Sequence, residues 1–285
     1  MKRRLLLIPV LLLTVGNALG QIHKKMTVVS QIIEKTHVPI YETVLEGDMN
    51  VVSGSSSQSQ TSITKYDFAY NTLGQLTSIK SYLVENGNAT DSFTTTMELN
   101  ENNKLNKVIF GEKKMTLDLV YEKNILQTTE FKDQYYDESR VSEITYNKLD
   151  LPGTIEKKSL PQYSDPETTN FIYDPNNNAK LVNLDNNKTT YTYDKKKYPF
   201  SFLPYAFNIS NDLSPDDLMY TNYIQQNNVV QIDTRELMTT IDYTYNTKDL
   251  PITAQVKKLV KLDPSDQAST TYDYEFVYKE IDIVE

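Results

Sequence analysis

One unit, repeated along most of the chain, leaves few folds open. An alternating aromatic segment ends in Tyr, passes through Asn or Asp and a short polar turn, and resumes at Leu or Pro. Full copies read Tyr70-Asn71-Thr72-Leu73-Gly74-Gln75-Leu76, Tyr146-Asn147-Lys148-Leu149-Asp150-Leu151-Pro152 and Tyr245-Asn246-Thr247-Lys248-Asp249-Leu250-Pro251. Shorter copies begin at Tyr173-Asp174-Pro175 and Tyr193-Asp194-Lys195, and weaker ones at Leu99, Tyr121 and Tyr223, so the anchors recur 20–30 residues apart. That period fits a hairpin with two strands of about 8–10 residues. Asn, Asp and Gly tolerate the left-handed backbone of a tight turn, and Asn and Asp side chains cap it. The anchors therefore predict an all-β chain, a single antiparallel meander of about 16 strands, rolled or barrel-like.

Side-chain alternation identifies the buried face. Tyr66, Phe68 and Tyr70 share one face, opposite Lys65, Asp67 and Ala69; Tyr272, Tyr274, Phe276 and Tyr278 alternate with Asp273, Glu275, Val277 and Lys279. Period-two alternation marks strands with one face on a core and one in water. The core face carries Tyr more than Phe (21 against 9 in the whole chain), and each buried phenol needs a hydrogen-bond partner.

The remaining segments divide the chain. Residues 1–20 read as a signal peptide: Lys2, Arg3 and Arg4, an apolar run from Leu5 to Val15, then Ala18 and Gly20 before a cut at Gln21. The run is too short for the stretch of about 20 apolar residues that spans a bilayer. Cleavage removes three positive charges from a chain at −9 and leaves −12. Residues 21–52 are expected to supply N-terminal strands, at Met26–Ile33 and Ile40–Leu45. The run 53–62, SGSSSQSQTS, reads as a loop or linker, and 63–285 as the meander domain. Within it, 199–223 is an apolar insertion beginning Phe200-Ser201-Phe202-Leu203. Ser214, Pro215, Asp216 and Asp217 predict a short helix near 214–222. The insertion is expected to pack on the tyrosine face.

The Tyr-Asp units resemble the YD repeats of RHS-type bacterial surface and toxin-shell proteins, although the turn glycine of those repeats occurs only at Gly74. The unit Tyr193-Asp194-Lys195-Lys196-Lys197-Tyr198-Pro199-Phe200, with Asn227-Asn228-Val229-Val230 on the return strand, is similar to a family of uncharacterised secreted Gram-negative proteins with a porin-like fold. This resemblance covers roughly residues 63–280. It implies a β-roll or barrel and brings no activity with it.

Several chemistries fall away. With no Cys there is no disulfide, lipid-modified cysteine, thiolate metal site or cysteine nucleophile. The negative charge disfavours nucleic acid, whose binding rests on neutralising phosphates. His23 and His37 have no metal-binding spacing, and no Gly-x-Ser-x-Gly elbow occurs. Asp174-Pro175-Asn176-Asn177-Asn178, with Asp185 twelfth, mimics a calcium loop but has Ala179 where Gly is required, so an Asn-rich turn is the better reading. No cofactor, metal or catalytic residue is expected.

The sequence thus reads as a non-catalytic secreted or periplasmic β-protein with no integral membrane span after signal cleavage. Its tyrosine face either buries the insertion or holds a glycan or an apolar small ligand. The residues expected to line that face are Tyr193, Tyr243, Tyr245, Tyr274 and Phe276. Two alternatives remain: a cell-surface structural or interaction protein pairing through a sheet edge, and an outer-membrane barrel. Against the latter stand the polar composition and the terminal Glu285.

Overall fold

The computed structural model describes residues 23–46, 49–111, 115–161, 165–203, 225–261 and 271–284. Sixteen strands run antiparallel and close into one barrel in which each strand pairs with its sequence neighbours. The first eight are β1 (His23–Glu46), β2 (Met49–Tyr70), β3 (Leu76–Glu85), β4 (Asn88–Leu99), β5 (Leu105–Phe110), β6 (Met115–Glu122), β7 (Ile125–Asp133) and β8 (Glu138–Tyr146). The second eight are β9 (Pro152–Leu160), β10 (Glu167–Tyr173), β11 (Ala179–Leu184), β12 (Asn187–Lys197), β13 (Asn227–Asp233), β14 (Leu237–Tyr245), β15 (Pro251–Val260) and β16 (Thr271–Val284). The all-β meander and its strand count agree with the hairpin period. The signal segment 1–20 and the helix expected near 214–222 lie outside the described residues.

Closure comes from the pairing of β1 with β16, in register from His23↔Val284 to His37↔Thr271 with one bulge between Val29 and Gln31. It removes the edges that a rolled sheet would leave open. β1 continues past the barrel wall: from Val38↔Gln60 to Glu46↔Met49 it pairs with β2 as a ribbon. Here the sequence expectation fails. The Ser-rich run 53–62 is no linker but lies within β2, and the two N-terminal strands are one, β1. Strand pairing needs only backbone N–H and C=O groups, so a polar run forms a strand wherever a partner strand lies alongside.

Cross-strand partners share a face. Starting from Phe68 and Tyr274, the register places Ile32, Ile79, Met97, Val108, Leu117, Phe131, Ile144, Ile155, Val182, Tyr191, Ile241 and Val256 on the inner face. All of them are buried. A wall of 16 strands is wide enough to leave an aqueous channel; here the chain enters its own barrel. After β12, residues 198–203 turn inward, so that Phe200 packs on Phe68 (ring centroids 5.2 Å apart) and Phe202 on Tyr70 (6.2 Å). β2 and β12 stand six places apart around the wall, so these contacts cross the interior. The described start of the insertion thus meets the tyrosine face as expected.

Candidate functional site

The turns define one end of the barrel. In five of them Asn71, Asn100, Asn147, Asp174 or Asn246 opens a loop in which its side-chain oxygen accepts two backbone N–H groups, two and four residues on, at 2.8–3.2 Å. The residue three places on (Gly74, Asn103, Asp150, Asn177 or Asp249) is left-handed, with φ between 56° and 76°. Gly, Asn and Asp reach that region at low cost. The next core position, at Leu76, Leu105, Pro152, Ala179 or Pro251, is buried.

Inward-facing tyrosines near this end of the barrel lend their hydroxyls to backbone carbonyls of the adjacent strand. Tyr121 donates to Leu105 O, Tyr173 to Pro152 O, Tyr193 to Ala179 O and Tyr278 to Pro251 O, each at 2.7 Å. Tyr146 donates to Leu126 O in the same way, and Tyr70 to Val29 O at 2.9 Å. Each bond lies beyond the last ladder pair of the two strands it joins. Burial pushes the phenols of Tyr70, Tyr173, Tyr193, Tyr198, Tyr243 and Tyr278 well above the ordinary tyrosine range.

Where β12 gives way to the insertion, a polar cluster replaces the simple turn. Asp194 accepts N–H bonds from Lys196 (2.9 Å) and Asn228 (3.2 Å), the Asn228 side-chain amide (3.3 Å) and the Tyr245 hydroxyl. Burial first, and then the Asp194 carboxylate, raise the Tyr245 pKa. Asn178, fully buried, accepts from the backbone of Gln226 (2.6 Å) and Asn227 (3.0 Å) and donates to Asp174 (2.9 Å). Tyr198 N–H donates to Gln226 O at 2.9 Å. Both legs of the insertion are thereby clamped to the barrel end. Asp174 belongs to this cluster, whereas Asp185, at the opposite end of β11, caps Thr168 N–H at 3.0 Å. The two carboxylates cannot share a cation, and the segment is an Asn-rich turn.

Toward the far end the interior becomes more polar. Glu34 is buried there at 7 % exposure, accepting from Thr36 (3.0 Å) and the Tyr66 hydroxyl (3.4 Å). Arg140 lies over Phe131, 4.4 Å from the ring centre, and Lys258 over Tyr272 at 4.6 Å. Sequence reasoning missed Glu34, although it occupies an inner position of the alternation Ile32-Glu34-Thr36. It also missed Asn178, because the bonds that fix it come from about 48 residues away.

All five residues singled out from the sequence lie on inner positions. Tyr243 and Tyr245 are neighbours on β14 (centroids 5.9 Å apart), Tyr274 is 3 % exposed, and Phe276 packs on the core. Tyr193 and Tyr245 have their hydroxyls bound, to Ala179 O and Asp194. His37 sits on the outer wall between Thr61 and Asp273, 3.0 Å from each.

The outer wall carries ion pairs among scattered exposed apolar side chains such as Val120, Ile172 and Val277. Lys107, Asp118, Lys132 and Glu130 form a chain of ion pairs across β5, β6 and β7 at 2.9–3.4 Å, and Lys158 bridges Glu143 (3.3 Å) and Glu156 (2.9 Å) on β8 and β9.

No protein-family model matches the chain, and none of the curated protein sequences does. Among solved structures the chain is similar to a porin-like protein from Bacteroides uniformis, with a TM-score of 0.58 at 15% identity over 88% of this chain and 96% of that one. The barrel fold is shared. Two weaker likenesses carry no argument. A porin-like protein from Bacteroides vulgatus gives a TM-score of 0.28 at 11% identity, over 89% of this chain and 99% of that one. TcdB2-TccC3 gives 0.28 at 11% identity, and the chain spans only 15% of it.

Proposed function

We propose that this chain is a secreted or periplasmic, water-soluble barrel that acts by binding and not by catalysis, built from hairpins of the YD-repeat type. The observation that carries the reading is the outer wall. In a transmembrane barrel that wall meets lipid, where each Lys or Arg near the midplane costs about 2–4 kcal/mol. In water the same ion pairs cost nothing and contribute at most about 1 kcal/mol each. With the aromatic face inside and the charges outside, the wall is inverted relative to a porin. The test is to prepare residues 21–285 without detergent and float the sample with liposomes. A monodisperse protein left behind by the vesicles supports the reading, and recovery only in detergent or with the vesicles overturns it.

The interior is the proposed ligand site. Tyr243, Tyr274 and Phe276 would offer rings, and the Glu34–Tyr66 pair a polar group, to a glycan or an apolar small molecule. Tyrosine fluorescence titrated with an apolar probe and with neutral oligosaccharides tests this; no change with either removes the ligand. A second reading, pairing with another chain, is favoured by the β1–β2 ribbon beyond His37. Concentration-dependent mass that disappears when the ribbon is shortened would support it.

A further inference from the structure

We propose a second binding site, for a short acidic saccharide, in the notch between the β11–β12 and β13–β14 hairpin tips. It is independent of the interior.

The β12–β13 ladder ends at Thr190↔Asp233, beyond which the two tips diverge. The resulting notch has a volume of about 690 Å³ and is lined by Asn187, Lys188, Thr190, Asp233, Arg235 and Glu236, among others. That is the size of an ordinary small-ligand site.

Both walls are fixed from outside the notch. On one side Asp185 N–H donates to Thr168 O (3.2 Å) while Thr168 N–H donates to Asp185 Oδ1 (3.0 Å), tying the β11–β12 tip back to β10. On the other, Lys261 N–H donates to Glu236 O (2.8 Å), and its ammonium donates to Thr234 O (2.7 Å) and to Asp233, tying the β13–β14 tip to the end of β15. The Thr234 hydroxyl closes its own tip by donating to Leu237 O at 3.1 Å. The notch is therefore formed before any ligand arrives, which lowers the ordering cost of binding.

Charge sets the ligand class. Lys261 neutralises Asp233. Lys188 and Arg235, both exposed, have no ion pair among the described residues, and Glu236 is the remaining acid of the lining. Two cations facing one notch select carboxylates. Arg can grip one with two parallel bonds. The amide of Asn187 and the hydroxyl of Thr190 supply donors and acceptors for the hydroxyl groups of a sugar. The chain's overall negative charge, −9, repels densely charged polymers and leaves a short ligand with one or two carboxylates.

The experiment is calorimetric titration of residues 21–285 with digalacturonate, with neutral galactobiose and with glutarate, repeated for the double variant K188Q/R235Q. Both substituted side chains are exposed, so the circular dichroism of the variant should match the parent. Digalacturonate should bind the parent, weaken as salt rises, and lose about a hundredfold in affinity in the variant, tenfold for each charged contact removed. Absence of digalacturonate binding, or equal binding by the variant, would overturn the site. Equal binding of galactobiose would overturn the role of the carboxylates, and equal binding of glutarate the role of the sugar.

Discussion

Raising the pH above 10 should unfold this barrel through its tyrosines. In the folded chain Tyr70, Tyr173, Tyr193, Tyr198, Tyr243 and Tyr278 are held protonated well above the ordinary tyrosine pKa, chiefly by burial. In the unfolded chain they ionise near about 10. The unfolded state therefore releases protons first. The stabilisation from neutral phenols is intact below pH 10 and is lost as the pH climbs toward the folded values. Each group loses about 0.4 kcal/mol at pH 10 and about 1.4 kcal/mol at pH 11, so six lose about 2.5 and about 8.5 kcal/mol. Against a domain stability of about 5–15 kcal/mol, unfolding should fall within one to two pH units above 10. The assay follows tyrosinate absorbance and far-ultraviolet circular dichroism together. Ionisation of the buried phenols should appear as one steep wave that coincides with loss of the β signal. If all phenols titrate near 10 while the β signal survives to pH 12, the hydroxyl–carbonyl bonds at the turn end do not hold the barrel.

Other outcomes follow from single positions. Asp194→Ala leaves the Lys196 and Asn228 N–H groups and the Tyr245 hydroxyl without their acceptor, and should cost about 3 kcal/mol or more in urea unfolding. Leu117→Ala, at a position 1 % exposed inside the wall, should cost about 2–5 kcal/mol with the spectrum of the fold retained. Gly74→Ala places a Cβ at φ 76° and 2.9 Å from the Met26 sulfur, and should cost about 1–2 kcal/mol. Asp150→Gly, at the matching turn position with φ 56°, should stay within about 0.5 kcal/mol of the parent.

What the sequence determined by itself is local. Tyr-Asx turns at a hairpin period, and side chains alternating by two, specify strands, turn geometry and inner face, because each depends on residues a few places apart. Phe68, Tyr70 and Tyr274 could be assigned to the interior without coordinates for that reason. Tertiary structure decided the rest. Closure depends on β1 meeting β16, a pairing of residues more than two hundred positions apart that no local pattern encodes. The run 53–62 has no strand-like alternation and becomes β2 only because β1 offers it backbone partners. The anchor at Tyr223 lies outside the described residues, a single connection joins β12 to β13, and β1 and β16 complete the strand count. Asp194 and Asn178 read as turn residues, yet their side chains meet partners brought in by the returning chain. The two cations of the notch, Lys188 and Arg235, are 47 positions apart and face the same space only where the β12–β13 ladder stops.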